Sequence, residues 1–186
     1  MKNIGVAFGR FQGFHLEHLE YLLESSKRCD FLIVGITNYE PCSNTNIKNP
    51  VNINRTKLDN NPFTYYERLQ MVKGSLLEAG IQFDQFDIVP FPIEHPELIK
   101  HFVPSDAVFY LPDLDEWQRE KIRCLKNHGL NVQVLYERAA SMRGTEIRDL
   151  IRNGKDFSHL VPPFVAKYIK ENKLNERLAK TEEVLK

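Results

Sequence analysis

Cysteine is scarce in this chain: Cys29, Cys42 and Cys124 are the only three, an odd number with no Cys-x-x-Cys pair. That excludes a disulfide framework and a zinc ribbon, and fits a reduced, cytoplasmic setting. Long hydrophobic runs are missing too. The opening run ends at Phe8, before Gly9-Arg10, and is too short for a signal peptide or a membrane span. Net charge is absent, because 25 basic and 25 acidic residues cancel. With no block of one sign, neither a nucleic acid nor a membrane surface is expected as a partner, although a local basic pocket remains allowed. No internal repeat is visible. What remains is 186 residues, 42% hydrophobic and 27% charged, enough for one ordinary domain with a sizeable core and too apolar for a disordered chain.

Apolar runs of strand length alternate with segments of helical period. Ile4–Phe8, Phe31–Ile36, Phe86–Phe91, Ala107–Leu111 and Asn131–Leu135 read as strands, most of them apolar throughout, as in a parallel sheet covered on both faces. Between them, Leu16, Leu19, Leu22 and Leu23 form a helical stripe, Thr64-x-x-Glu67 is a capping-box pattern with Gly80 as its stop, and Asp115–His128 ends in Gly129. The alternation predicts an α/β fold with a doubly wound parallel sheet, ligands gathering at the C-terminal ends of its strands. Residues 1–172 are expected to form this domain, with a long loop over 38–62. Residues 173–186 carry Leu174, Leu178 and Leu185 and read as a helical tail packing on the body or on a second subunit, which leaves a homo-oligomer open.

Two segments carry chemistry. Gly9-Arg10-Phe11-Gln12-Gly13-Phe14-His15-Leu16-Glu17-His18 follows the first strand and opens the first helix. A glycine there admits close backbone approach, and the helix N-terminus offers N–H groups to an anion. His15 and His18, three residues apart, can face one phosphate-sized site. The plainer alternative makes His15 a cap and His18 a surface residue. The second segment, Arg143-Gly144-Thr145-Glu146-Ile147-Arg148, follows the last strand and opens another helix. Gly144 and Thr145 would present N–H groups and a hydroxyl, while Arg143 and Arg148 can hold phosphate oxygens. Its plainer alternative is an N-cap Thr145 with Arg148 on a solvated face. Secondary candidates for substrate contact are Trp117, whose ring can stack on a planar group or simply pack helix on sheet, and the loop cations Arg55 and Lys57. Asp113, Asp115 and Glu116 suit a helix N-terminus better than a metal cage.

His15-Leu16-Glu17-His18 resembles the His-x-Gly-His signature of the nucleotidylyltransferase superfamily, and Thr145-Glu146-Ile147-Arg148 resembles its downstream Ser/Thr and Ile-Arg signature. The similarity is greatest to archaeal-type nicotinamide-nucleotide adenylyltransferases, through Gly9-Arg10-Phe11-Gln12, Asn61-Pro62-Phe63-Thr64 with Glu67-Arg68, and Leu160-Val161-Pro162. The resemblance implies a Rossmann-like fold and transfer of AMP from ATP, with magnesium carried on the nucleotide, to a phosphate-bearing acceptor such as nicotinamide mononucleotide. Pyrophosphate leaves. The alternatives are a cytidylyltransferase with a phosphorylated or phosphonylated acceptor, and a catalytically degenerate nucleotide-binding regulator. By resemblance, Gly9, Arg10 and Phe11 cradle the nucleotide, and His15 and His18 meet the triphosphate, His18 supporting the developing charge. Gly144, Thr145 and Arg148 then hold the β- and γ-phosphates with help from Arg143.

The chain also departs from that pattern. Gly13 stands where the family has Pro, Glu17 where the signature has Gly, and Arg143 where a Ser precedes the Gly-Thr step. Phe91-Pro92-Ile93-Glu94-His95-Pro96 replaces the stretch such enzymes turn toward the nicotinamide. With Leu16 and Leu19 expected to face inward, Glu17 is expected to face solvent.

Overall fold

The computed structural model describes residues 2–39, 60–139 and 141–183. It divides into two compact units: Met1–Arg10, Glu20–Thr37 and Ala79–Ser141 form one, while Phe11–Leu19, Asn38–Glu78 and Met142–Lys186 form the other. The first unit holds the sheet, made of β1 (Ile4–Gly9), β2 (Phe31–Ile36), β3 (Phe86–Pro90), β4 (Val108–Asp113) and β5 (Asn131–Glu137). Their spatial order is β3-β2-β1-β4-β5, with every pair parallel. The central strands are the apolar ones: Val6, Ala7, Val34, Ile36 and Phe109 are fully buried. β5, at one edge, has only exposed and half-buried residues instead.

β4 runs past its apolar stretch through Pro112 to Asp113, and its register with β5 shifts there. Proline has no N–H to give the ladder, so the pairing skips it. β1 and β4 pair only at Gly5–Val108 and Val6–Phe109. Beyond that point the Tyr21 hydroxyl accepts from Phe8 N (3.1 Å) and donates to Tyr110 O (2.8 Å), so one buried phenol satisfies groups on both strands. Helix α1 (Leu16–Ser26) supplies this Tyr; it buries Tyr21, Leu22 and Ser25. The unit's other long helix, α3 (Glu116–Asn127), packs on β4 and β5 and is capped by Asp115, whose carboxylate accepts from Gln118 N.

The second unit contains α2 (Tyr65–Glu78), α4 (Gly144–Arg152), α5 (Pro163–Glu171) and α6 (Leu174–Glu183). The Thr64 and Glu67 capping box forms reciprocally, at 2.9 and 3.2 Å. α2 packs on α5, and both α4 and α5 pack on α6. In α6, Leu174 and Leu178 are buried within this chain, and the Arg177 guanidinium grips both Glu67 carboxylate oxygens and Pro62 O. Leu185 lies outside the described residues. Among the described residues no helix is long and apolar enough to cross a membrane.

Candidate active site

The two signature segments meet in the second unit, and they meet through backbone. Gly13 has φ +85°, a conformation closed to the proline of the resembling enzymes. A Cβ on it would lie 2.9 Å from Gly144 O, and a Cβ on Gly144 would lie 2.4 Å from Gln12 O. Glycine at both positions lets the turn before α1 seat against the N-terminus of α4.

Gln12 ties a third segment to this junction. Its side-chain amide donates to Phe63 O (2.8 Å) and accepts from Phe63 N (3.0 Å), while its main-chain oxygen accepts from Arg148 Nη1 (2.8 Å). No role of its own was legible for Gln12 in the sequence; its place in the Gly-Arg-Phe-Gln string was the available signal for this tie. Arg148 is 1% exposed, and its Nη2 donates to Thr145 Oγ1 at 3.1 Å. Its Nε has no partner. Burial pulls its pKa down to about 10, so it remains a cation at neutral pH. The plainer alternative of a solvated Arg148 is thus excluded.

The histidines form a stack. The His15 and His18 rings lie 3.7 Å apart at 23°, and Phe14 stacks beyond His18 at 5.6 Å. Phe11, held at φ +52°, packs its ring edge-on against His18 at 5.2 Å. That ring is 1% exposed, buried against His18. His15 N donates to His18 Nδ1 (3.4 Å), which places the neutral His18 proton on Nε2. His15 is 4% exposed, with an unpartnered Nδ1. Burial pushes its pKa from 6.5 down to about 4, and Glu17 pulls weakly the other way.

Glu17 does not face solvent. It is half-buried, and its Oε2 accepts from Met142 N at 3.2 Å, whereas Leu16 is 41% exposed. The buried face of α1 is set by Tyr21, Leu22 and Ser25, and Leu16 falls off it. Arg143 occupies the N-cap of α4, exposed and making no side-chain cap. Of the remaining candidates, Gly9 ends β1 and Arg10 follows it, both half-buried in the sheet unit. Trp117 opens α3 there, with Lys121 Nζ 5.5 Å from its ring. Arg55 and Lys57 lie outside the described residues.

A parallel sheet of this order, with a glycine-led turn after its first strand, defines a Rossmann-like α/β protein. The chain belongs to the cytidylyltransferase-like family, whose model matches residues 6–176. It is 41% identical to a phosphonoformate cytidylyltransferase of Streptomyces viridochromogenes over 94% of both chains. To a nicotinamide-nucleotide adenylyltransferase of Saccharolobus solfataricus it is 31% identical, again over 94% of each. The fold matches the crystal structure of a bifunctional NMN adenylyltransferase/ADP ribose pyrophosphatase from Francisella tularensis at a TM-score of 0.65 and 19% identity. The match covers this whole chain but 55% of that one, so the chain spans about half of its length. The chain is thus an enzyme of the nucleotidyltransferase class.

Proposed function

We propose that the chain transfers CMP from CTP to an oxyanion of a small phosphonate- or phosphate-bearing acceptor, releasing pyrophosphate. The convergence of the two signatures at the Gly13–Gly144 contact carries the chemistry; the 41% identity to a phosphonoformate cytidylyltransferase favours the donor and the acceptor class. An acceptor oxygen forms a bond to the α-phosphorus as the α-phosphorus–oxygen bond to pyrophosphate breaks. No enzyme nucleophile is needed, so the chain contributes position and charge stabilisation.

In this reading His18, clamped between Phe14 and His15, donates from Nε2 to phosphate oxygens as charge builds. His15, kept neutral by burial, contacts the same phosphates. The first N–H groups of α4, the Thr145 hydroxyl and Arg148 hold the β- and γ-phosphates, with exposed Arg143 closing over them. In this reading magnesium arrives on the triphosphate, held mainly by its phosphates and water. When bound, it screens phosphate charge. The reading includes a cytoplasmic setting.

AMP transfer from ATP to nicotinamide mononucleotide is the second reading, favoured by the archaeal relatives. Against it stands the 91–96 segment: Phe91 is fully buried, stacked on Phe8 at 4.5 Å and tilted against Phe109, so it fills core. The test is pyrophosphate release from CTP or ATP, with magnesium, against phosphonoformate, phosphonoacetate and nicotinamide mononucleotide. CTP with a phosphonate should turn over fastest. Turnover only with ATP and the mononucleotide would replace this reading by the second, and none with any pair would remove both.

A further inference from the structure

Glu17 puts a carboxylate where the resembling signature has glycine, and the geometry gives it a target. It is the second residue of α1, and its Oε2 takes the main-chain N–H of Met142. Met142 directly precedes Arg143, the N-cap of α4, whose backbone is extended (φ −129°, ψ 136°) and whose side chain caps nothing. Two further ties hold α4: Arg148 on Gln12 O, and the Gly13–Gly144 approach. Glu17 adds a hold just ahead of the N-cap, at Met142.

We propose that Glu17 is a positioning residue that holds residues 142–144 so that the open N–H groups of α4 stand ready for the β- and γ-phosphates. This rests on the nucleotidyl-transfer reading. Donors fixed in advance need no ordering when the ligand arrives, so affinity is not spent on arranging them. Without the tie, the segment must be ordered at the moment of binding. The loss then falls on a triphosphate, which reaches α4, and spares a monophosphate, which does not. The carboxylate's charge is unfavourable to phosphate, but its acceptor oxygen is what the tie needs. Glu17→Gln keeps an acceptor oxygen and removes the charge, whereas Glu17→Ala removes both.

The experiment measures CTP and CMP dissociation constants, with magnesium, and amide exchange at residues 142–145 in the ligand-free protein, for wild type and both variants. Glu17→Ala should weaken CTP about fivefold to tenfold, the scale of one partly exposed hydrogen bond to a charged group, and leave CMP unchanged. Exchange at 142–145 should quicken, and Glu17→Gln should restore both properties at an unchanged melting temperature. Unaltered exchange and affinity in Glu17→Ala would overturn the proposal. So would equal tightening of CTP by both variants, which would make the carboxylate an opponent of the nucleotide. If wild type binds no triphosphate, the transfer reading itself fails, and this shows before any variant is compared. The exchange data still report whether Glu17 orders the segment.

Discussion

The N-terminus of α2 is closed by its own sequence, with Thr64 and Glu67 satisfying each other's main-chain N–H groups, whereas α4 begins at Arg143 with no side-chain cap. In two other helices a carboxylate takes an N–H of the first turn. Asp115 caps α3, and α5 takes the Glu78 carboxylate on Phe164 N. A side-chain cap typically contributes ~1 kcal/mol, so an uncapped start of α4 forgoes stability there. That start is where the first signature docks by backbone, with Arg148 bonded to Gln12 O. Closed ends hold the fold together. The open end is available to an anion.

The largest expected effect lies at His18. If its Nε2 serves developing charge, His18→Ala should lower kcat by about 10²–10³ while KM for the triphosphate barely moves. Steady-state kinetics that showed kcat and KM changing together, or neither changing, would return His18 to a packing role.

His15 sharpens the contrast from the α1 side, being buried and neutral where Arg143 is exposed and charged. Its folded pKa of about 4 lies below the unfolded 6.5, so the unfolded chain takes the proton first. Stability should therefore fall as pH drops from about 6.5 to about 4, and at ~1.4 kcal/mol per pKa unit the loss is roughly 3 kcal/mol. Denaturant unfolding across that window should show this part of the slope in wild type and not in His15→Asn. Identical slopes would mean that His15 is not held neutral.

At Arg148 the fork geometry matters, because its two terminal nitrogens already brace Gln12 O and Thr145 Oγ1. Lysine cannot copy that fork. Arg148→Lys should weaken triphosphate about tenfold or more, the scale of a lost charge-assisted pair, and monophosphate less. Equal losses in titration would place Arg148 off the β- and γ-phosphates.

The smallest pair of effects breaks the comparison most cleanly. Thr64→Ala should cost ~1 kcal/mol of stability and leave nucleotide affinity alone. Arg143→Ala should leave stability alone and weaken triphosphate by roughly twofold to fivefold, as one exposed cation allows. A melting curve and a titration on each variant decide it, and a swap of the two phenotypes would refute the division of labour.

The strands were legible in the sequence because apolar runs of five or six residues mark a covered parallel sheet. Their ends were less so: β4 continues through Pro112, which no hydrophobic pattern extends across. The strand order was out of reach, since it depends on long-range packing such as the Tyr21 bridge between β1 and β4. In the site, the paired signatures announced themselves by spacing. The inward turn of Glu17 did not, because the phase of α1 is set by Tyr21 and Leu22 rather than by the leucine nearest its start. Phe11 and Arg148 were recognisable by type, but their burial follows from the backbone contact of two glycines far apart in sequence.

The central claim is that the uncapped start of α4 receives a triphosphate, and calorimetric titration of CTP and CMP with magnesium tests it most directly. CTP should bind more tightly than CMP in wild type. The gap should shrink in Arg143→Ala and persist in Thr64→Ala. Equal affinity for the two nucleotides, or no CTP binding at all, would contradict the account.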